Sequence, residues 1–588
     1  MSDRTIGDGA AVVMAVLAAL AALLAPPVPW QLALGLVGVA VFVRRPPLLA
    51  VALALLVGGR AHQQLDALSA PLPERLDGVG VLAGDPTDEQ YGVRFIVDLD
   101  GRRYVAEVDR EIAAPLRGAG TGDHLWLSGR PSPLRGAPEG WVRSRHLAGR
   151  LSVTSLQRGP PAAPWYAAAN SVRRTLTAGA ASFDDDRRPL YLGMVIGDDR
   201  QLSELRQHRF RTAGLNHLTA VSGQNVAFLI AVAAPALSRV GRRSRAVLTL
   251  VLLVAMVLVT RADPSVLRAG VMAGLAVLAV STGRIAPAVR ILTLTITILL
   301  LADPMLVHAL GFRLSIAATA GLVVLAGPIE SHLPGPAWLR LPLAVTLAAQ
   351  LATAPLVVGL NGGISPASVP ANLLGVPAAG AVMMLGVTVG TLAGLVAEPV
   401  AAVLQLPARV LVGWIDLVAG VAAGAPCGLL EPVRLVAVVG AVVGAGLARP
   451  RCSPRGRRAL VAAAVLAVVA LCWPRAPGTG EHPLSDDVTV VVGACGGVVA
   501  RLSGSVDESD ALAALQQSSL RRIDLLVVEP GRAARAAAAS VGEQWPVRRR
   551  LDAGPALGGS WTVGGVEVVA DGSSVTIGLS RAACRLTP

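Results

Sequence analysis

The sequence predicts a polytopic α-helical membrane protein of about thirteen spans, with a small OB-like β-barrel near its N-terminus and a small α/β domain at its C-terminus. Three observations predict it. Of the 588 residues, 53% are apolar and only 15% charged, whereas soluble domains run near a quarter charged. Apolar runs recur along the chain, and two stretches between them show the alternating pattern of soluble strands. The most Arg-dense short loops alternate with Arg-poor ones, as the positive-inside rule requires of a chain threaded back and forth through a bilayer.

The net charge is +13 and rests on Arg alone, since the chain has no Lys. Such an excess belongs first to cytoplasmic loops and only second to anionic substrates. The five cysteines, Cys427, Cys452, Cys472, Cys495 and Cys584, form no metal-spaced cluster. Cys495 and Cys584 flank the C-terminal soluble segment and can pair if it faces an oxidising compartment.

Residues 1–60 hold three spans, near 10–25, 29–43 and 47–58. The first could pass for a signal peptide, but two further apolar runs follow closely, so it reads as an anchor. Arg44 and Arg45, between the second and third, place the N-terminus in the cytoplasm and residue 60 outside. Residues 74–157 turn soluble. GVRFIVDL, RRYVAEV, DHLWLSGR and GRLSVTSL alternate like strands and predict a small antiparallel barrel, OB-like on strand count. Its last third carries Arg130, Arg135, Arg143, Arg145 and Arg150 around Trp141. Cations beside an aromatic suit single-stranded nucleic acid, through phosphate attraction and base stacking; a solvated basic surface around a core Trp reads equally well. Residues 161–212 look amphipathic and interfacial.

Residues 213–474 form the large hydrophobic block. Candidate spans are 216–238, 246–260, 265–282, 291–302, 311–327, 341–360, 371–396, 401–423, 431–447 and 459–473. They put 239–245, 284–290 and 448–458 in the cytoplasm, and 260–264, 361–366 and 425–432 outside. The soluble domains, the second of which (484–588) reads as α/β, are then both extracytoplasmic.

Within this block the stretch GLNHLTAVSGQNVAFLIAV carries Asn216, His217, Thr219, Ser222, Gln224 and Asn225. At 100° per residue, Thr219, Ser222 and Asn225 share one stripe while His217 and Gln224 share another, so no single polar face exists. Either protein or water surrounds the helix, or it breaks at Ser222–Gly223, which is tolerable only where the freed backbone is buried in protein or lines a cavity. Taken alone, the stretch also reads as helix–helix glue. Arg268 in DPSVLRAGVMAGL, and Arg313 with Ser315 in GFRLSIAATAGL, lie near the outer ends of spans, where snorkelling is the plain account of the arginines. Asn372 stands in SVPANLLGVP, whose two prolines invite a broken helix. Gln350 and Thr353 precede Pro355. Several such segments in one block favour a solute path. Positive and neutral donors dominate it, without an acidic pair, which suits an anion.

These segments together resemble the ComEC-type competence proteins, the inner-membrane DNA-import channel family of bacteria. The resemblance rests on GLNHLTAVSGQNVAFL, DPSVLRAGVMAGL, DPMLVHALGFRLSIAATAGL and AAQLATAPLVVGLNGGISPASVPANLLGVP, in that order, with MVIGDDRQLSELRQHRFRTAGLNHL leading into the first. It implies a channel in the cell membrane that passes one DNA strand inward, with the barrel outside as a DNA-binding domain. Asn216 to Asn225, Arg268, Arg313, Ser315 and Asn372 would line or brace the path, and Arg130–Arg150 with Trp141 would receive the strand. The implied partners are single-stranded DNA, membrane lipid, a DNA receptor, a separate nuclease and a cytoplasmic ATP-driven motor; an oligomer is compatible. The motor is separate because the chain has no G-x-x-x-x-G-K-[ST] P-loop and no Lys to complete one.

The C-terminus departs from the family's pattern. Many members end in a metallo-β-lactamase-like domain with a D-V-G-Q-G-type opening and an H-x-H-x-D-H cluster. VVVGACGGVVARL and LLVVEPGRAARA stand at those places here, and His482 is the sole histidine after residue 340. A dinuclear zinc site takes several His and carboxylate ligands. Residues 484–588 therefore resemble a shortened, degenerate form of that domain, with no catalytic residue, metal ligand or cofactor expected. Two further readings remain: a transporter of a small anion or envelope precursor on the same scaffold, which leaves the external barrel without a role, and a membrane nuclease holding metal through Asp486, Asp487 and Glu529, which falls short on ligand count.

Overall fold

Backbone polar groups in lipid must be satisfied within the segment that carries them, and the apolar runs accordingly fold as helices. A computed structural model describes residues 8–425 apart from 44, 90–91, 284–285 and 362, and residues 478–579 apart from 519, 521, 555–557 and 572–573; between these stretches it describes only Leu430, Arg434 and Ala437.

Three helices open the chain: α1 (Asp8–Leu24), α2 (Trp30–Val43) and α3 (Pro46–Ser69). After the barrel come α5 (Pro164–Gly179), α6 (Arg188–Ile196) and α7 (Glu204–Thr212). The main block follows as α8 (Gly223–Leu237), α9 (Arg242–Val259), α10 (Pro264–Ser281), α11 (Ala288–Ala302), α12 (Leu310–His332), α13 (Ala337–Asn361) and α14 (Ser368–Leu385). It closes with α15 (Thr391–Ala393), α16 (Glu398–Leu404) and α17 (Leu406–Ala423). Among the described residues six helices are long and apolar enough to cross a membrane: α3, α10, α12, α13, α17, and α14 with its continuation to Ala393. Helices α1, α2, α8 and α11 are apolar but shorter. The spans expected at 431–447 and 459–473 lie outside the described residues except for Arg434 and Ala437. Val247, Val251 and Val254 of α9 and Val410, Leu417 and Val421 of α17 turn outward. Apolar faces exposed over successive turns belong to helices bathed in lipid, so the protein is membrane-integral.

The break expected at the two prolines of SVPANLLGVP does not occur. Pro370 falls in the first turn of α14, where its missing N–H removes no helical bond, and the helix carries Pro377 in its interior. The irregularity comes later, as a π turn over Gly386–Gly390 leading into α15.

The first soluble domain contains β1 (Leu76–Leu82), β2 (Thr87–Asp88), β3 (Gly92–Leu99), β4 (Arg102–Asp109), β5 (His124–Ser132), the short helix α4 (Glu139–Ser144) and β6 (Leu147–Arg158). Strand β1 pairs with both β5 and β3, which closes a five-stranded barrel in the order β1-β5-β6-β4-β3, and β2 pairs with the start of β3, where β1 does not reach. Alternation fills the interior. Val93, Phe95, Val97 and Leu99 of β3 point in, with Tyr104, Leu125, Leu127 and Leu151 from its neighbours. The pairings are not all antiparallel as expected, because β4 and β6 run parallel. The chain reaches β6 by crossing over through β5 and α4, and a crossover is what a parallel pair needs.

The C-terminal domain is α/β. Strands β7 (Gly480–Pro483), β8 (Val488–Val492), β9 (Val498–Leu502), β10 (Leu525–Val528) and β11 (Arg550–Asp552) form one sheet in the order β11-β10-β9-β8-β7. Helices α18 (Glu508–Gln517) and α19 (Arg532–Gln544) cover one face, packing Leu512, Leu515, Ala537 and Val541 on Val490, Leu502, Leu526 and Val528. The alternate residues Val491, Val499, Leu525 and Val527 meet Val566 and Val568 of a second sheet, made of β12 (Gly558–Val563), β13 (Val566–Asp571) and β14 (Ser574–Leu579). Leu205 of α7 joins the first of these cores, and Arg209 of α7 faces Glu543 at 3.6 Å, so this domain docks on α7. Cys495 is disulfide-bonded; Cys584 lies outside the described residues.

Candidate functional site

Gly214 follows α7 with φ +69°, and a Cβ there would stand 2.4 Å from the Ser368 Cβ at the start of α14. Only glycine combines that left-handed backbone with that approach. The chain then makes one 3-10 turn over Asn216–Leu218, and Ser222 is extended. Helix α8 begins at Gly223, so the span expected at 216–238 is helical only from Gly223 to Leu237.

Three of the six polar side chains hold this break together. Thr219 Oγ1 donates to the Asn216 carbonyl at 2.8 Å, Ser222 Oγ donates to Asn225 Oδ1 at 3.0 Å, and Asn225 Nδ2 donates to the Met194 carbonyl at 3.1 Å. Met194 lies in the last turn of α6, whose final carbonyls lack helical partners. The other three turn outward. Asn216 and Gln224 are exposed and make no side-chain hydrogen bond among the described residues, and exposed His217 has the Gly214 backbone as its partner. Asn225 and Thr219 are buried, and beyond Asn225 the wall is apolar, built from Phe228, Leu229, Met256 and Met383.

Arg268 does not snorkel. It is buried, 7% exposed, with Nε donating to Ser315 Oγ at 2.7 Å and Nη1 to Met272 Sδ at 3.1 Å. Its Nη2 lies 2.7 Å from where a Cβ on Gly223 would sit, so the guanidinium occupies the space that the glycine leaves at the N-terminus of α8. Among the described residues no carboxylate pairs with it. A cation at the positive end of a helix is the reverse of what the helix dipole favours, and the arrangement has use for an anion. Asn372 Nδ2 donates to the Gly214 and Ser368 carbonyls at 3.2 and 2.7 Å, and Gln350 Nε2 to Ser368 Oγ at 3.0 Å. Thr353 bonds within its own helix. Arg313 is exposed and joins none of these groups.

The basic segment of the barrel lies against the membrane block. Helix α4 packs on the Pro304–His308 turn, and His146 Nε2 meets Asp303 Oδ2 at 3.0 Å. Arg145 lies over the half-buried Trp141 ring, 5.4 Å from its centroid. Arg143 pairs with Glu139 at 2.9 Å and Arg150 with Glu107 at 3.5 Å, while Arg130 and Arg135 are exposed and make no pair among the described residues.

One constellation is not foreseen from the sequence. Asp85 of the barrel accepts from the Thr121 backbone at 2.8 Å and meets Arg261 Nη2 at 2.8 Å and Arg173 Nη2 at 3.1 Å. Arg173 also reaches Asp198 at 3.3 Å and donates to the Ile196 and Val259 carbonyls at 2.7 and 2.9 Å. Arg200 grips both Asp198 oxygens at 2.7 Å. Burial alone would raise the Asp85 carboxyl, but Arg173, Arg261 and Arg200 outweigh it and hold it at about 2. Arg261 and Ala262 have φ of +60° and +54°, a left-handed turn costing about 1–2 kcal/mol per residue, and this turn carries Arg261 to the barrel. The available signal was a set of Asp-bearing turns, AGDP, GDDR and TRADP, two of them with an Arg, and Arg173 with Asn170 on the otherwise apolar face of α5.

Residues 194–451 match the family described as Competence protein. This segment belongs to the competence-protein family. A curated relative is "ComE operon protein 3" of Bacillus subtilis (strain 168), 28% identical over 241 residues. That match covers 40% of this chain and 30% of the relative, so the chain aligns with less than a third of that protein's length. No solved structure matches the chain. The competence segment contains the break at Ser222–Gly223, Arg268, Ser315 and Asn372. The barrel with Asp85, and the C-terminal sheets, lie outside it.

Proposed function

We propose that the protein is an inner-membrane channel for uptake of single-stranded DNA during natural transformation and that it lacks a nuclease centre of its own. One observation carries the reading: the chain breaks at Ser222–Gly223 inside an apolar block, turns Asn216, His217 and Gln224 outward, and sets beside the break a buried Arg268 that no carboxylate among the described residues meets. Irregular backbone at membrane depth is tolerated where it is buried in protein or lines a wet path, and uncompensated cations there suit an anionic solute. The barrel is read as OB-like, its five strands closed with one parallel pairing, and as the domain that meets DNA outside. Its loops contact 260–264 and 303–308, which the positive-inside argument also puts outside. Asp8 and Arg290, paired at 2.8 Å, would mark the cytoplasmic end. A DNA receptor, a separate nuclease and an ATP-driven motor complete the system as partners.

The C-terminal domain supports the reading without a nuclease through how its carboxylates are used. Glu529, which stands where the metal-binding cluster of the related domain would begin, accepts from Arg501 Nε at 2.7 Å and from the Gly504 amide at 3.3 Å. Asp487 accepts from Ser503 and, at 3.0 Å, from Ser505. Both carboxylates are taken up by the same turn.

The test is uptake of labelled DNA in a deletion strain complemented with wild type or His217→Ala. Loss on deletion, rescue by wild type and failure of the variant at equal membrane abundance is the expected result. Unchanged uptake on deletion would sink the reading and favour a transporter of a small anion or envelope precursor, which the buried Arg268 would serve equally well.

A further inference from the structure

Between the barrel and helices α5 and α6 lies a cleft of about 500 Å³, within the range that takes nucleotide-sized ligands. Its walls carry Arg173, Arg174, Arg188, Arg200 and Arg261 against two carboxylates, Asp85 and Asp198. The carboxylates are consumed by Arg173, Arg200 and Arg261. Arg174 is exposed and makes no hydrogen bond or ion pair among the described residues. Among the described residues Arg188 Nε and Arg261 Nη1 are buried donors without an acceptor, and Asn170 Oδ1 is a buried acceptor without a donor. With five guanidinium groups against two carboxylates, the lining carries an excess of positive charge. Gly118, Gly120, Thr177 and Ala178 leave it open beside them, and none of its lining residues is aromatic.

We propose that this cleft binds the phosphodiester backbone of a single nucleic-acid strand, and does so without reading bases. The inference rests on the channel reading above. Phosphate oxygens are drawn by the excess of guanidinium charge in the lining and meet the exposed Arg174, whose planar fork matches them in geometry. A lining with no ring to stack on gives charge-driven binding, steep in salt and indifferent to sequence. The cleft floor is α6. Pro189 and Leu192 line the cleft, while Met194, on the opposite side of the same helix, accepts from Asn225 at the break. A strand held here lies one helix away from Ser222–Gly223.

The full chain in nanodiscs of neutral phosphatidylcholine, probed with fluorescent oligothymidylate, tests this, with a photo-cross-linking residue replacing Gln201, exposed in the lining. Cross-linking to DNA at 201 is expected. The double substitution Arg174→Ala with Arg188→Ala should weaken binding about tenfold or more and flatten the log–log salt dependence by about 0.7 for each phosphate no longer neutralised. Arg174→Lys, which keeps a point charge, should restore part of the slope with an unchanged melting temperature. Wild type that binds DNA without cross-linking at 201, and variants that bind equally, would overturn the cleft and leave the channel reading standing. Cross-linking that disappears in the variants, alongside normal uptake on gene deletion, would keep the site and sink the channel. No DNA bound or cross-linked in neutral lipid, with residue 201 cross-linking instead to phosphatidylglycerol in nanodiscs of that lipid, would make it a lipid-headgroup site and overturn the proposal.

Discussion

Asn225 donates to the Met194 carbonyl at 3.1 Å and so ties the first turn of α8 to the end of α6. Helix α6 is otherwise closed by the Arg173 guanidinium on the Ile196 carbonyl and by the Gly197 amide on the Gly193 carbonyl. Two distant side chains therefore add to the backbone cap at left-handed Gly197, and one of them belongs to the polar stretch that marks the break. Asn225→Ala leaves a buried carbonyl without its donor, which costs about 1–3 kcal/mol. Its melting temperature in detergent should fall. His217→Ala touches an exposed side chain and should change stability by less than about 0.5 kcal/mol while removing uptake. If both variants melt alike, the split between bracing and lining residues is wrong.

Gly214→Ala tests the other side of the break. The substitution adds a methyl 2.4 Å from the Ser368 Cβ and requires an L-residue at φ +69°. The left-handed backbone alone costs about 1–2 kcal/mol, and the added methyl must displace Ser368, which holds Gln350 and Asn372. The expected outcome is a destabilised protein in which Ser368→Gly, made in the same chain, recovers part of the loss. No recovery would place the cost in the backbone alone.

Asp85 should behave as an electrostatic latch between the barrel and the membrane block. Its carboxyl is held at about 2 against an ordinary 3.8, so the contribution is fully present above about pH 4 and is lost as pH falls through 2. The shift corresponds to about 2 kcal/mol. Removing one partner of a buried pair costs about 3–5 kcal/mol in general; the smaller figure is the better guide, since Asp198 still serves two of the arginines. Asp85→Asn should speed hydrogen exchange at the Thr121 amide, which donates to Asp85 at 2.8 Å, at neutral pH. Unchanged exchange there would remove the latch.

The sequence made some of this legible and hid the rest for physical reasons. Alternation in GVRFIVDL and RRYVAEV exposes the barrel strands because one face is packed and one is wet, but the parallel β4–β6 pairing depends on residues far apart in the chain. The break at Ser222–Gly223 is legible because six polar side chains fit no single face. Arg268 was not: an arginine near a helix end reads as snorkelling, and what buries it is Gly223 on one helix and Ser315 on another. The Asp85 cluster was hidden more deeply, since its members come from the barrel, α5, the turn after α6 and the turn after α9, and each looks locally like an ordinary turn or surface charge.

His208 gives the docking of the C-terminal domain on α7 a pH dependence. The imidazole is buried, 5% exposed, and burial, with Arg211 and Arg209 acting in the same sense, lowers it to about 4 from 6.5 against a hydrogen bond with Gln516 of α18. The docked state thus holds His208 neutral. Its contribution is complete above about pH 6.5 and drains away as pH falls toward 4, by about 3 kcal/mol at the lower limit. Glu204, on the same helix, works the other way: partial burial and the nearby Asp507 and Glu508 raise its carboxyl, so acid relieves a repulsion there. The two are separable because Glu204 gains only near the carboxylate range, whereas His208 begins to lose at pH 6.5. Hydrogen exchange across Glu508–Gln517, corrected for intrinsic rates, should therefore accelerate between pH 7 and about pH 5 in wild type and in Glu204→Gln, and should stay flat in His208→Gln. A His208→Gln chain that loosens as steeply as wild type would mean that another group controls the interface.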